Sequence, residues 1–225
     1  MKVRAILDYK GVQYQRVTPL GSTMLKLRRR GKTGKVPAVE IDGKLIVDST
    51  DIAYAIDEKF PDPPLLPADA RERGLCHALE DWADESLYFI GLYYRWYEAE
   101  GRKAVPAAFG KSVSGGILYR YYLRMMLAQI RGQGTLRKSP EHVRRDLERH
   151  LDATEGMLAA RPYLLGDRPY LCDFALWGQL NYLNRTPVGG EAIKPRQAIG
   201  SYIVRMTPES GGQERLRASA SVPSE

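Results

Sequence analysis

Cysteine is scarce, with two residues in 225, Cys76 and Cys172, far apart and in no CxxC pair. Neither a redox pair nor a metal cluster follows from them. Both read as small buried apolar residues, and their scarcity suits a reducing cytoplasm. Histidine occurs only three times, and no His/Asp/Ser constellation, phosphate loop or metal-ligand spacing is present. No apolar run approaches the 18 or so residues of a membrane span. The opening Met1-Lys2-Val3-Arg4-Ala5-Ile6-Leu7-Asp8 lacks the apolar core and cleavage site of a signal peptide. Internal repeats are absent as well. Acid is the minority sign: 27 Asp and Glu against 34 Lys and Arg leave a net charge of +7. The excess is spread out. Arg28, Arg29, Arg30, Lys32 and Lys35 form one local cluster, whereas Arg144, Arg145 and Arg149 alternate with Glu141, Asp146 and Glu148. That pattern describes a solvated surface, and no nucleic-acid partner is expected; for want of a spanning run, no membrane partner is expected either.

What is present divides in two. Val3, Ile6 and Leu7 have helical spacing over residues 2–9, closed by Gly11. Residues 13–17 read as a short strand, and 21–34 as a basic helix or loop. Val36 to Ile41 alternates like a strand, Asp42-Gly43 signals a hairpin turn, and Lys44 to Val47 supplies the second strand. Ser49 is placed to cap a helix carrying Ile52, Ala53 and Ile56 inward. The stretch 62–68 is a proline-rich linker. Everything beyond it reads as helix: 69–100 with Leu75, Leu79, Trp82, Ala83, Leu87 and Ile90 inward, then 117–130. A third, 139–159, opens on Ser139 and Pro140, followed by 173–183 and 195–206. The Ser- and Gly-rich stretch 208–225 is expected to be disordered. The spacing thus predicts an α/β domain over 1–61, the linker, and an all-α domain over 69–207.

Four motifs sharpen this: Lys35-Val36-Pro37-Ala38-Val39; Asp42 to Ser49 followed by Ile52; Pro63-Pro64-Leu65-Leu66-Pro67; and Gly166-Asp167-Arg168-Pro169 through Asp173-Phe174-Ala175. In this order they resemble the cytosolic glutathione S-transferases, bacterial-like in type, over residues 1–206. The resemblance implies a thioredoxin-like N-terminal domain and a helical C-terminal domain. It implies a cis Val36–Pro37 bond that turns the Val36 backbone toward glutathione; spacing alone leaves an ordinary trans proline open. Ser49, at a helix N-terminus, would hold the γ-glutamyl carboxylate, and Asp48 would bear on the ammonium. A simple N-cap role for Ser49 is the alternative. Lys35 would pair with the glycyl carboxylate, or be merely a solvated lysine. Tyr88, Tyr93, Tyr94, Trp96 and Tyr97 fall where the family's acceptor-substrate pocket lies, though core packing between helices is the favoured reading of them.

The sequence departs from the family in two places. Tyr170 stands where a Ser or Thr would share a capping box with Asp173, so part of that cap is expected to be lost. The family's first strand, and the turn bearing the Ser, Tyr or Cys that activates the thiol, are expected upstream of Met1; no catalytic residue is assigned within the chain. Trp82, Leu79 and Asp173 are expected to be structural. The function implied is conjugation of glutathione, as co-substrate, to small electrophiles by a cytoplasmic detoxifying homodimer needing no metal. The alternative is a noncatalytic glutathione-binding or protein-interaction module on the same fold.

Overall fold

The computed structural model describes residues 1–17, 22–31, 36–110 and 112–207. They form two compact units, 1–67 and 68–206. In the first, α1 (Lys2–Tyr9) ends on Gly11 at φ +63°, a left-handed position that favours glycine. Helix α2 (Ser22–Gly31) occupies the basic stretch, with Arg28, Arg29 and Arg30 in its last turn, where cations suit the helix dipole. Strands β1 (Ala38–Ile41) and β2 (Lys44–Val47) pair antiparallel, from Ile41 opposite Lys44 to Ala38 opposite Val47. Asp42 and Gly43 both take positive φ between them, the conformation that a two-residue hairpin turn requires. Helix α3 (Ser49–Lys59) buries Ile52, Ala53 and Ile56.

The expected strand over 13–17 is not formed; that stretch is irregular. A strand needs a neighbour for its N–H and C=O groups, and among the described residues β1 and β2 pair only with each other. A buried lysine fastens this unit instead. Lys10 Nζ reaches Asp57 Oδ1 at 2.7 Å, the Pro63 carbonyl at 2.9 Å and the Phe60 carbonyl, while Asp57 Oδ1 accepts the Leu65 N–H at 2.9 Å. Helix α1, the end of α3 and the proline-rich segment are thereby tied together.

The second unit is helical. The expected single helix over 69–100 is interrupted. Helix α4 (Ala70–Trp82) leads into a π turn at 83–87, then α5 (Tyr88–Leu92), a second π turn at 93–97, and α6 (Ala99–Ala104). A π turn inserts a residue and rotates the inward face. Upstream of both turns, Leu75 is exposed and Leu79 half-buried, while Cys76 and Glu80 face inward. Helix α7 (Val113–Gln133) follows, capped by Ser112. Helix α8 (Pro140–Leu158) begins at Ser139, whose hydroxyl accepts the His142 N–H at 3.3 Å. Helix α9 (Leu171–Asn184) is buried along nearly its whole length. Helices α10 (Pro187–Ile193), which the sequence reading passed over, and α11 (Gln197–Met206) complete the unit. The expected disordered stretch 208–225 lies outside the described residues.

Candidate functional site

The hairpin register decides which candidates meet. Ala38 pairs with Val47 at the end remote from the turn. Val36–Pro37, just before β1, and Asp48–Ser49, just after β2, therefore lie at one end of the ribbon. The Val36–Pro37 bond is cis, as the resemblance implies, and Val36 is 57% exposed. Lys35 lies outside the described residues.

The cap of α3 is not the residue first expected. Asp48 is the N-cap: its carboxylate accepts the Thr50 N–H at 2.9 Å, and Ser49 is the first helical residue. Asp48 holds φ +83°, strained for a residue with a Cβ. Such strain costs about 1–3 kcal/mol and concentrates at sites where backbone direction matters. The half-buried Ser49 hydroxyl has no hydrogen-bond partner among the described residues. Beside it, Lys2 is only 6% exposed and donates to Thr50 Oγ1 at 3.2 Å. An ammonium and a helix N-terminus converge there, a setting that attracts a carboxylate. Lys2 escaped the sequence reading because nothing in the spacing links it to a residue 48 positions on.

In the second unit the aromatic candidates are packed. Tyr93, Tyr94 and Trp96 are buried, Tyr88 is half-buried against Phe89, and Tyr97 is 46% exposed. Trp96 Nε1 donates to the Tyr182 hydroxyl at 3.0 Å. Burial holds Tyr94 and Tyr182 at a pKa of about 12, so both stay neutral phenols at physiological pH. Cys172 is no activated thiol: hydrogen bonding to Cys76, burial and the nearby Asp173 all push it up. Among the described residues, no group of three or more His, Cys, Asp or Glu is placed to hold a metal ion.

Asp173 is fully buried. It accepts the Leu164 N–H and the Tyr170 N–H at 2.9 Å each, and the Tyr202 hydroxyl at 3.1 Å. Burial raises its pKa, while these hydrogen bonds pull the other way. The Tyr170 ring makes no cap bond, and the Asp173 N–H turns to the Tyr170 carbonyl at 2.9 Å. The box thus keeps its carboxylate half and lacks its hydroxyl half. Trp82 is half-buried, donating to His150 Nδ1 at 3.0 Å.

An isoprene-epoxide–glutathione S-transferase from Rhodococcus sp. (strain AD45) is 27% identical over 215 residues, covering 92% of this chain and 85% of that protein. Among solved structures, a beta-etherase from Sphingobium sp. strain SYK-6 superposes with a TM-score of 0.70 at 19% identity, covering 96% and 93% of the two chains. A glutathione S-transferase from Methylobacterium radiotolerans, in complex with glutathione sulfonate, gives 0.59 at 22% identity, covering 100% and 89%. Such structural likeness speaks for the fold. The family model for the glutathione S-transferase N-terminal domain matches residues 1–64 and that for the C-terminal domain residues 96–203, and the chain belongs to the glutathione S-transferase family.

Proposed function

We propose that this protein binds glutathione at the open end of the β1–β2 hairpin and serves its conjugation to small electrophiles. The observation that carries the reading is the juxtaposition, fixed by register, of the exposed Val36 with the first turn of α3. The Val36 N–H and C=O would pair with the cysteinyl backbone as an added strand. The Ser49 hydroxyl and backbone N–H would take the γ-glutamyl carboxylate, with Lys2 adding charge nearby. Asp48 keeps one oxygen on Thr50 and offers the other to the γ-glutamyl ammonium. Lys35 is assigned the glycyl carboxylate from the sequence alone.

Glutathione is the nucleophile in the reaction, and its thiolate, not its thiol, attacks. An epoxide, the substrate class in the name of the Rhodococcus relative, is a suitable partner. The sulfur lone pair forms the C–S bond, the C–O bond breaks, and the alkoxide takes a proton from water. The residues of this chain bind and orient the tripeptide. Tyr88, Tyr93 and Trp96 are retained as shaping the acceptor pocket, Trp96 with its indole already held by Tyr182. A detoxifying homodimer in the cytoplasm completes the proposal.

The test is to incubate the protein with glutathione and a small terminal epoxide and to quantify the thioether by mass spectrometry. Enzyme-dependent thioether supports the proposal. Glutathione binding without thioether makes this a noncatalytic binding module.

A further inference from the structure

We propose that hydrogen peroxide converts Cys76 and Cys172 into a disulfide that fastens α4 to α9. These are the two cysteines of the chain. They lie far apart in sequence and in no local motif, but α4 and α9 pack against each other. Both side chains are wholly buried, and the Cys172 thiol donates a hydrogen bond to the Cys76 sulfur. Two sulfurs in contact from two elements meet the first requirement of a disulfide. The fold thus makes a pair that sequence spacing did not indicate.

The pair is asymmetric. Accepting that hydrogen bond pulls the pKa of Cys76 down, against the opposing effects of burial and of the Asp173 and Glu80 carboxylates. Cys172 is pushed up by donating the bond, by burial and by Asp173, whose Oδ2 lies 3.8 Å from its sulfur. Its proton is held between two acceptors. Cys76 is therefore the first of the two to ionise, and the thiolate is the nucleophile. Cys172 remains a thiol until Cys76 has reacted, as befits a resolving cysteine.

The chemistry balances with one molecule of peroxide. The Cys76 thiolate attacks one peroxide oxygen, the O–O bond breaks, and the departing hydroxide takes up the proton that Cys76 lost. Cys76 is then a sulfenic acid. The Cys172 sulfur attacks the Cys76 sulfur, the S–O bond breaks, and the hydroxide released takes the Cys172 proton. Two thiols are oxidised, the peroxide is reduced to two waters, and one S–S bond has formed. Burial selects the oxidant by size: neither cysteine is exposed, so a small opening of the unit admits peroxide before it admits a bulky disulfide.

The bond falls where it restrains the helical unit. Helix α4 leads through the two π turns to Tyr88, Tyr93 and Trp96, and α9 carries Tyr182, which already holds the Trp96 indole. Closing so long a loop restricts the unfolded chain, and the melting temperature is expected to rise by about 5–15 °C.

Treatment of the full chain with hydrogen peroxide tests this. Proteolysis without reduction, followed by mass spectrometry, is expected to show the Cys76 and Cys172 peptides joined and two hydrogens lighter than the separate pair. Alkylation after unfolding is expected to find no free thiol. The melting temperature is expected to rise, and dithiothreitol to reverse each change. Dimedone, which captures sulfenic acid, is expected to label Cys76 in C172S and to leave Cys172 unlabelled in C76S. Two merely buried thiols would show no such order. Two alkylatable thiols after treatment, sulfinic acid in place of the joined peptides, or a disulfide between two copies overturns the proposal. So does labelling of Cys172 in C76S as strong as that of Cys76 in C172S. The joined peptide of the wild type decides the matter if a variant fails to fold.

Discussion

Lys10 shows most sharply how single residues decide this structure. Its side chain is wholly buried, and three acceptors from α3 and the proline-rich segment surround the ammonium. Removing the charge by Lys10→Met strands Asp57, which is only 17% exposed. Breaking such a buried pair costs about 3–5 kcal/mol, and a urea titration of K10M is expected to show a loss of that order. A second residue-scale expectation concerns pH. Burial lowers the pKa of His150, whose Nδ1 must stay unprotonated to accept from Trp82. The unfolded chain then binds a proton that the folded one does not. The stability His150 contributes is present above the unfolded value of about 6.5 and is lost as pH falls through the lowered folded value. Melting temperatures of wild type and His150→Ala across this range are expected to converge toward acid. Trp82→Ala is expected to cost about 1.5–3 kcal/mol, less than the 3–5 of a fully buried tryptophan, because the ring is half-buried.

Adjacent residues within one element carry opposite expectations. Gly115 touches the Phe109 carbonyl, whereas a Cβ on Gly116 would meet nothing within 4 Å. Gly115→Ala must push backbone from backbone and is expected to cost about 1–3 kcal/mol or more. Gly116→Ala gains helix propensity and is expected to stabilise by about 0.5–1 kcal/mol. Thermal melts of the pair check both signs. Element by element, the sequence was legible where the signals are local. Asp42-Gly43 marks the hairpin, Ser139-Pro140 opens α8, and Gly11 closes α1. It was illegible where an element depends on a distant partner. Residues 13–17 have strand composition but no strand beside them among the described residues, and Cys76 and Glu80, rather than Leu75 and Leu79, face inward on α4. Helix α10, seven residues opened by Thr186 and Pro187, is too short for periodicity to reveal.

For the whole molecule, the chain divides after Pro67, where proline-rich composition marks the break, and four motifs in order disclosed the family. The candidate site was legible as Val36, Pro37, Asp48 and Ser49 because all four stand at strand ends with distinctive local chemistry. Its supports, Lys2 against Thr50 and Lys10 against Asp57, join residues 48 and 47 positions apart, which no local pattern encodes. The excess positive charge of +7 favours an anionic ligand, so glutathione affinity is expected to fall with added salt. Because Asp48, not Ser49, caps α3, Ser49→Ala removes a ligand contact without removing the cap, and its melting temperature is expected to match wild type. The decisive measurement is isothermal titration of glutathione into wild type and S49A. Loss of one charge-assisted hydrogen bond, about 1.5–3 kcal/mol, predicts affinity weaker by about tenfold to a hundredfold in a variant that melts normally; wild-type affinity in S49A would contradict the site.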